Sequence, residues 1–328
     1  MKIFIIAEAG SVHDGSFGNA KNLCKLAKKC GADAIKFQLH FSEEETLKKA
    51  PSPKHFKSEN RFKYFQRTSF TFSQWEKLNN YCKKIEINFF VSIFSEKALE
   101  FVKKLKLKYV KIPSGEVTNL PLLKKISKTK LKVILSTGMS NFVEIDEAIK
   151  ILGKQTILMQ CTSEYPTQNK RVGLNVFNDF SKRYKGIQTG FSDHTNSIAS
   201  AIGAIMLGSK YIEKHITFSN QMYGSDAKFA SEPDKFTNYC KEIHNICEII
   251  SNPVNKNDVS MFKELKKVYE KKIVSEKEIK KGSKINNKNI TVKKAGDGIS
   301  AKFFYKILNK KIKKNLKKNE IIKWHHIR

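Results

Sequence analysis

The chain has 328 residues, 62 of them Lys or Arg against 31 Asp or Glu, for a formal charge of +31; this length can bury one large domain and a small one. Only five of the basic residues are Arg (61, 67, 171, 183 and 328), whereas phosphate and base readers favour the bidentate guanidinium, so nucleic acid is not the expected partner. No apolar run approaches the roughly 18–20 residues that span a bilayer, and the apolar start at 3–7 is too short for a signal peptide. A cytoplasmic protein with no membrane partner is therefore expected, its six cysteines (24, 30, 82, 161, 240 and 247) reduced and mostly buried.

Read from the N-terminus, eight strand-like runs precede residue 220: 3–8, 34–39, 87–94, 109–112, 131–136, 156–161, 187–191 and 211–217. Segments of helical periodicity lie between most of them, at 20–30, 72–85, 97–106, 120–128, 142–152 and 197–208. Strand and helix alternating at this spacing predict a parallel sheet, and eight units predict a closed (β/α)₈ barrel. An open doubly wound sheet fits less well, because no Gly-rich phosphate loop follows the first strand. The charged, aromatic excursion at 41–72 reads as a long second βα loop, which in a barrel lies on the catalytic face. A helix at 233–250 closes the barrel, and 251–258 is a polar, Pro-bearing linker-like run. Short β-like runs at 272–275, 290–293 and 321–323, with Gly282, Gly296 and Gly298 at turns, make a second module. The expected division is a barrel at 1–258, a linker at 259–271 and a β-rich module at 272–328. Residues 261–328 hold 22 basic residues against 6 acidic, a local excess suited to drawing in an anionic substrate.

The stretch 189–217 organises the site. Two apolar segments, each ending in a histidine, flank the helical run 197–208, so a strand–helix–strand unit places His194 and His215 near the same end. Ser192 and His194 share one strand face, as do Glu213 and His215. Two convergent imidazoles make a partial site for Mn²⁺, Zn²⁺ or a similar ion.

In a barrel, chemistry gathers at the C-terminal strand ends, and polar residues recur there: Glu8; Lys36 and Gln38; Ser92; Lys111, Ser114 and Glu116; Ser136; Cys161 to Tyr165; Ser192 and His194; His215. Two lysines among hydroxyls describe a phosphate or carboxylate cradle. Glu8 and Glu116 suit acid–base work, and the histidines suit a Lewis-acidic metal. These residue types imply metal-assisted chemistry on a phosphorylated, anionic small molecule and leave the reaction open.

At these positions the sequence resembles the sialic acid synthase family, the bacterial N-acetylneuraminate synthases and their relatives. The resemblance is carried by Ile5-Ile6-Ala7-Glu8-Ala9-Gly10, Ala34-Ile35-Lys36-Phe37-Gln38, Lys111-Ile112-Pro113-Ser114-Gly115-Glu116 and Leu135-Ser136-Thr137-Gly138-Met139. Cys161-Thr162-Ser163-Glu164-Tyr165-Pro166, Gly190-Phe191-Ser192-Asp193-His194-Thr195 and Ile212-Glu213-Lys214-His215 extend it. The C-terminal module resembles the family's antifreeze-like (SAF) domain.

The resemblance implies a transferase that condenses phosphoenolpyruvate with N-acetylmannosamine or a related N-acylated hexosamine and water, giving a nine-carbon 2-keto acid and phosphate. A legionaminic- or pseudaminic-type product is the alternative. It implies that His194 and His215 bind a divalent ion, Mn²⁺ first, with Mg²⁺ or Co²⁺ as alternatives. It assigns Ser92, Lys111, Ser114, Ser136, Ser163 and Ser192 to phosphoenolpyruvate. Glu8, Lys36, Gln38 and Glu116 fall to catalysis, and Tyr165, Asp226 and Lys294 to the sugar. It also implies a domain-swapped homodimer. The sequence departs from the family pattern at Val12-His13-Asp14-Gly15, at Gln160, in the 224–230 loop, and at Lys294, where the family has an arginine; lysine keeps the charge and loses the bidentate fork.

Overall fold

Eight short runs dominated by Ile, Val, Leu and Phe become eight parallel strands in the computed structural model, which describes residues 1–52, 59–224 and 226–328. Part of the 41–72 excursion and Ser225 of the 224–230 loop therefore lie outside the described residues. The strands are β1 (Phe4–Gly10), β2 (Ala34–Leu39), β3 (Asn88–Ile93), β4 (Tyr109–Ile112), β5 (Lys132–Ser136), β6 (Thr156–Cys161), β7 (Gln188–Asp193) and β8 (Tyr211–His215). They run in sequence order around a closed barrel. Strand β1 pairs with both β2 and β8, so the sheet keeps no open edge. The (β/α)₈ barrel expected from the strand spacing is the fold observed.

The helices are α1 (Phe17–Lys29), α2 (Ser42–Glu45), α3 (Arg61–Thr68), α4 (Phe72–Lys84), α5 (Glu96–Lys104), α6 (Leu120–Ser127), α7 (Phe142–Leu152), α8 (Val176–Arg183), α9 (Ile198–Met206) and α10 (Pro233–Ser251). Side-chain caps fix where many of them start. Ser16, Ser95 and Ser197 accept the backbone N–H groups of Asn19, Ala98 and Ala199. Thr71 with Gln74 and Asn141 with Glu144 form reciprocal capping boxes, which satisfy orphan donors in the first turn. The 41–72 excursion, expected as loop, carries α2 and α3. No described helix is long and apolar enough to cross a membrane.

The outer strand faces and the inward helix faces share one core, with Phe37, Trp75, Phe180 and Phe236 among its large members. The barrel lumen is layered because strand side chains alternate. Near the N-terminal strand ends it is apolar, filled by Ile6, Ala34, Phe90, Ile134, Ile157, Met159 and Tyr211, with Phe4 and Tyr109 packed against them. Two residues further along the same faces come Glu8, Lys36, Ser92, Lys111 and Glu213, all buried. The lumen thus has an apolar floor and a charged mouth.

The chain divides into two compact units, Met1–Asn252 and Pro253–Arg328. The second begins with an exposed stretch that includes α11 (Lys263–Tyr269). Strands β9 (Lys271–Ser275) and β10 (Ile290–Lys294) then pair antiparallel. Around them packs a small core made almost wholly of isoleucine, including Ile273, Ile285, Ile307 and Ile322; β-branched side chains suit such short extended segments.

Candidate active site

The mouth is built around a chain of buried charges. Lys36 Nζ lies 2.8 Å from Glu8 Oε2 and 3.6 Å from Glu213 Oε1, and Lys111 Nζ lies 2.9 Å from Glu213 Oε2. The four side chains are 6 % exposed or less, and each comes from a different strand. Hydroxyls and an amide complete the ring: Lys36 Nζ donates to Ser92 Oγ at 2.8 Å, Ser192 Oγ donates to Glu213 Oε1 at 3.1 Å, and Gln38 Nε2 donates to Glu8 Oε1 at 3.2 Å.

Burial and pairing set the protonation of these groups against each other. Burial would raise Glu213, but Lys111 and Lys36 outweigh it and hold its pKa at about 2. Burial also pushes Glu8 up, and Lys36 offsets this only in part. Lys36 is pushed down by burial and pulled further up by Glu213 and Glu8. Lys111 ends below its ordinary value, because burial outweighs Glu213. Two carboxylates with opposite shifts, a few ångströms apart, mark a site that both fixes charge and can hold a proton.

The histidines follow β7 and end β8. Their ring centroids are 5.5 Å apart, and the Tyr165 ring lies tilted 4.1 Å from His194 and edge-on 5.8 Å from His215. His194 Nδ1 lies 2.8 Å from the Thr162 carbonyl, which only a protonated Nδ1 can satisfy; burial would lower the pKa of this imidazole, but Cys161 and the Thr162 carbonyl raise it above the ordinary value. His215 Nδ1 and Asp226 Oδ2 are buried without a hydrogen-bond partner, and burial holds His215 neutral, with its pKa at about 4. With its Nδ1–H held by a carbonyl, His194 would present Nε2 to a divalent ion on losing its other proton, beside the neutral imidazole of His215, which is the arrangement of a metal-ligating histidine pair. No group of three or more His, Cys, Asp or Glu is arranged to hold a metal among the described residues.

Two glycines make room for the polar groups. A Cβ on Gly138 would lie 2.5 Å from Ser163 Oγ and 3.0 Å from both Ser114 Oγ and Cys161 Sγ, so three site residues converge on this backbone. Its N–H donates to Ser114 Oγ at 3.0 Å, and Ser136 is buried at the end of β5. Gly10, at φ +52°, leaves the space where a Cβ would lie 2.4 Å from Asp226 Oδ2.

The structure therefore brings together Glu8, Lys36, Gln38, Ser92, Lys111 and Ser192, and sets Tyr165 against both histidines. Glu116 stands apart in the short turn after β4, accepting from Asn119 Nδ2 at 2.7 Å. Lys294 belongs to the C-terminal unit, its ammonium 5.3 Å above the Tyr269 ring. Glu213 was missing from the sequence-derived site set although it bridges both lysines. Its place two residues before His215 on an inward strand face was the available signal.

Comparison with known proteins places this geometry in a family. The NeuB family matches residues 23–255 and the SAF domain matches residues 272–328. The N,N′-diacetyllegionaminic acid synthase of Campylobacter jejuni is 36% identical over 98% of this chain and 99% of its own length. The human N-acetylneuraminate-9-phosphate synthase is 31% identical over 76% of this chain and 72% of its own. A crystal structure of the N-acetylneuraminic acid (sialic acid) synthetase of Leptospira borgpetersenii serovar Hardjo-bovis superposes with a TM-score of 0.70 at 28% identity, covering 81% of this chain and 91% of that one. The chain belongs to the NeuB family, the sialic acid synthases and their relatives, and carries a SAF domain at its C-terminal end.

Proposed function

We propose that the chain condenses phosphoenolpyruvate with an N-acylated hexosamine aldehyde and water, releasing phosphate and a nine-carbon 2-keto acid. The observation that carries this reading is the full burial of two lysine ammoniums among strand-end hydroxyls, held in place by Glu8 and Glu213 and positioned to bond the oxygens of a compact phosphorylated anion. Lys36, Lys111, Ser92, Ser114, Ser136, Ser163 and Ser192 hold the phosphate and carboxylate. Charge-assisted bonds from both lysines orient the enol carbon toward the aldehyde. Glu8, raised by burial, is suited to carry a proton as the enol phosphate collapses and water adds. Gln38, Tyr165, Asp226 and Glu116 belong to the sugar's side of the site.

His194 and His215 would hold a divalent ion, Mn²⁺ first, which when bound supplies Lewis-acid polarisation of the aldehyde oxygen. Two acceptors fit the reading: N-acetylmannosamine, and a hexose with two N-acetyl groups leading to a legionaminic-type acid. The name of the Campylobacter relative, with its 36% identity over nearly the whole chain, supports the second. The domain-swapped dimer belongs to the same proposal, with Lys294 serving a partner's barrel.

Phosphate release from phosphoenolpyruvate across a panel of mono- and diacylated hexosamines, with and without Mn²⁺, tests the reading. Release should require both a sugar and the ion. His215→Ala should fold and lose metal-dependent release together with bound Mn²⁺ seen by electron paramagnetic resonance. Full turnover in excess chelator would remove the metal; no release with any hexosamine would remove the condensation. Co-expressed Lys294→Ala and His215→Ala subunits should recover activity in the purified heterodimer if the module acts in trans.

A further inference from the structure

A separate cavity of about 220 Å³ lies beside the mouth, among the loops after β2, β3 and β4. Its walls include His40, Glu45, Arg61, Phe65, Phe94 and Glu116. His40 is buried, with its ring stacked 3.6 Å from Phe65 and 4.1 Å from Phe94. His40 Nδ1 lies 2.7 Å from Glu45 Oε2 and Nε2 lies 3.1 Å from Gln38 Oε1. Because Gln38 gives its amide N–H to Glu8, its oxygen faces His40 as an acceptor, and His40 Nε2 must hold a proton. Hydrogen bonds through Gln38 thus run from this cavity to the mouth.

Across the cavity, Arg61 and Glu116 carry opposite charges, yet no ion pair joins them. The Arg61 guanidinium donates to Thr46 Oγ1 at 3.3 Å and to the Pro51 carbonyl at 3.5 Å, while Glu116 accepts from Asn119. Arg61 Nε is buried without a hydrogen-bond partner. With Nε shut away unpaired and the terminal nitrogens on long bonds of 3.3 and 3.5 Å, the guanidinium keeps terminal N–H groups to spare for an acceptor in the cavity. A fitting guest must accept from Arg61, donate to a carboxylate, and end in a small apolar group against the phenyl rings. A phosphate or carboxylate would meet Glu45 and Glu116 with like charge. A bare hydroxyl would leave the phenyl faces unused. A secondary amide ending in a methyl group satisfies all three demands.

We propose that this cavity is the subsite for a second N-acyl group on the acceptor sugar, with Arg61 as the residue that selects for it. The inference rests on the condensation reading above and names its substrate class. Arg61 donates to the acyl oxygen, Glu116 accepts from the amide N–H, and the methyl packs on Phe65 and Phe94.

The test compares a diacetamidohexose with the matching monoacetamidohexose on the full-length wild type, Arg61→Met and Arg61→Lys. Phosphate release with phosphoenolpyruvate and Mn²⁺ gives kcat/KM for each sugar, and saturation-transfer NMR without phosphoenolpyruvate reads each acyl methyl separately. The wild type should favour the diacetamido sugar, and both variants should shrink that preference by about ten- to a hundredfold, the usual loss for a hydrogen bond to a charged group. The second methyl should be saturated as strongly as the first on the wild type and lose that saturation in Arg61→Met. A wild-type preference near one, a preference unchanged in both folded variants, or an unsaturated second methyl on the wild type would overturn the subsite. If neither variant folds, the methyl signals on the wild type alone decide. Saturation of the second methyl with no phosphate released from either sugar would overturn the condensation and leave the subsite standing.

Discussion

The floor and the mouth of the barrel are built from the same strands, two residues apart, and they follow opposite rules. Ile6, Phe90, Ile134 and Tyr211 fill the floor and exclude water. Glu8, Ser92, Ser136 and Glu213 continue the same inward faces into a layer where every buried charge needs a partner. Both layers are close-packed, so burial alone does not distinguish structure from function. The difference lies in what a substitution leaves behind: a void in the floor, an unpaired charge in the mouth.

That contrast is broken most forcefully at Glu213. Replacing it with Ala strips the shared counterion from Lys36 and Lys111 and should cost about 3–5 kcal/mol in chemical denaturation, with phosphate release lost. Phe90→Ala in the floor should cost a similar amount, about 3–5 kcal/mol, by leaving a cavity, while the folded fraction keeps its apparent constant for phosphoenolpyruvate. Equal loss of substrate affinity in both would erase the distinction between the layers.

Acid sharpens the comparison from another direction. His13 is buried against Phe37 and Phe70, and burial lowers its pKa to about 4. The unfolded chain takes up its proton near pH 6.5, which the folded chain refuses until about 4. Stability should therefore fall as pH drops through that window, by up to about 3 kcal/mol from this residue, and stay level above it. Glu213 contributes in a lower window: its folded pKa of about 2 lies below the ordinary 4.5, so its stabilisation is present above about 4.5 and fades as pH falls toward 2. His13→Asn should reduce the slope between pH 6.5 and 4 in urea melts, with His215 and its folded pKa of about 4 supplying the remainder, and leave the lower window in place. An unchanged slope would put the acid sensitivity elsewhere.

The smallest effect is expected far from the lumen. Asn141→Ala removes the cap of α7, whose side chain accepts from Val143 and Glu144. A loss of about 1 kcal/mol should appear in the melt, with catalytic constants unmoved.

Much of this was legible in the sequence because the signals were local. The strand runs at 34–39, 109–112 and 156–161 coincide with β2, β4 and β6, and the helical periodicity at 142–152 coincides with α7. Where the physics was tertiary, the reading fell short. The α8 segment buries little beyond Phe177 and Phe180, too sparse a stripe for periodicity to declare. The helix α2 is four residues, three of them Glu, and contacts from outside it, such as Lys97 with Glu44, help to hold it. Glu213 shares a strand face with His215 in the sequence, but only barrel closure brings Lys36 and Lys111 from two other strands onto it. Glu116 read as part of the same ring, but the turn after β4 carries it toward Arg61 and His40 instead. Residues 53–58, inside the excursion whose length was apparent from sequence, lie outside the described residues.

The central claim is that the charged layer, and not the barrel as a whole, receives phosphoenolpyruvate. Calorimetric titration of phosphoenolpyruvate into the wild type, Lys111→Met and Phe90→Ala tests it most directly. Loss of one charge-assisted bond should weaken Lys111→Met by about 1.5–3 kcal/mol, roughly ten- to a hundredfold, while folded Phe90→Ala binds as the wild type does. Equal affinity for phosphoenolpyruvate in Lys111→Met and the wild type would contradict the account.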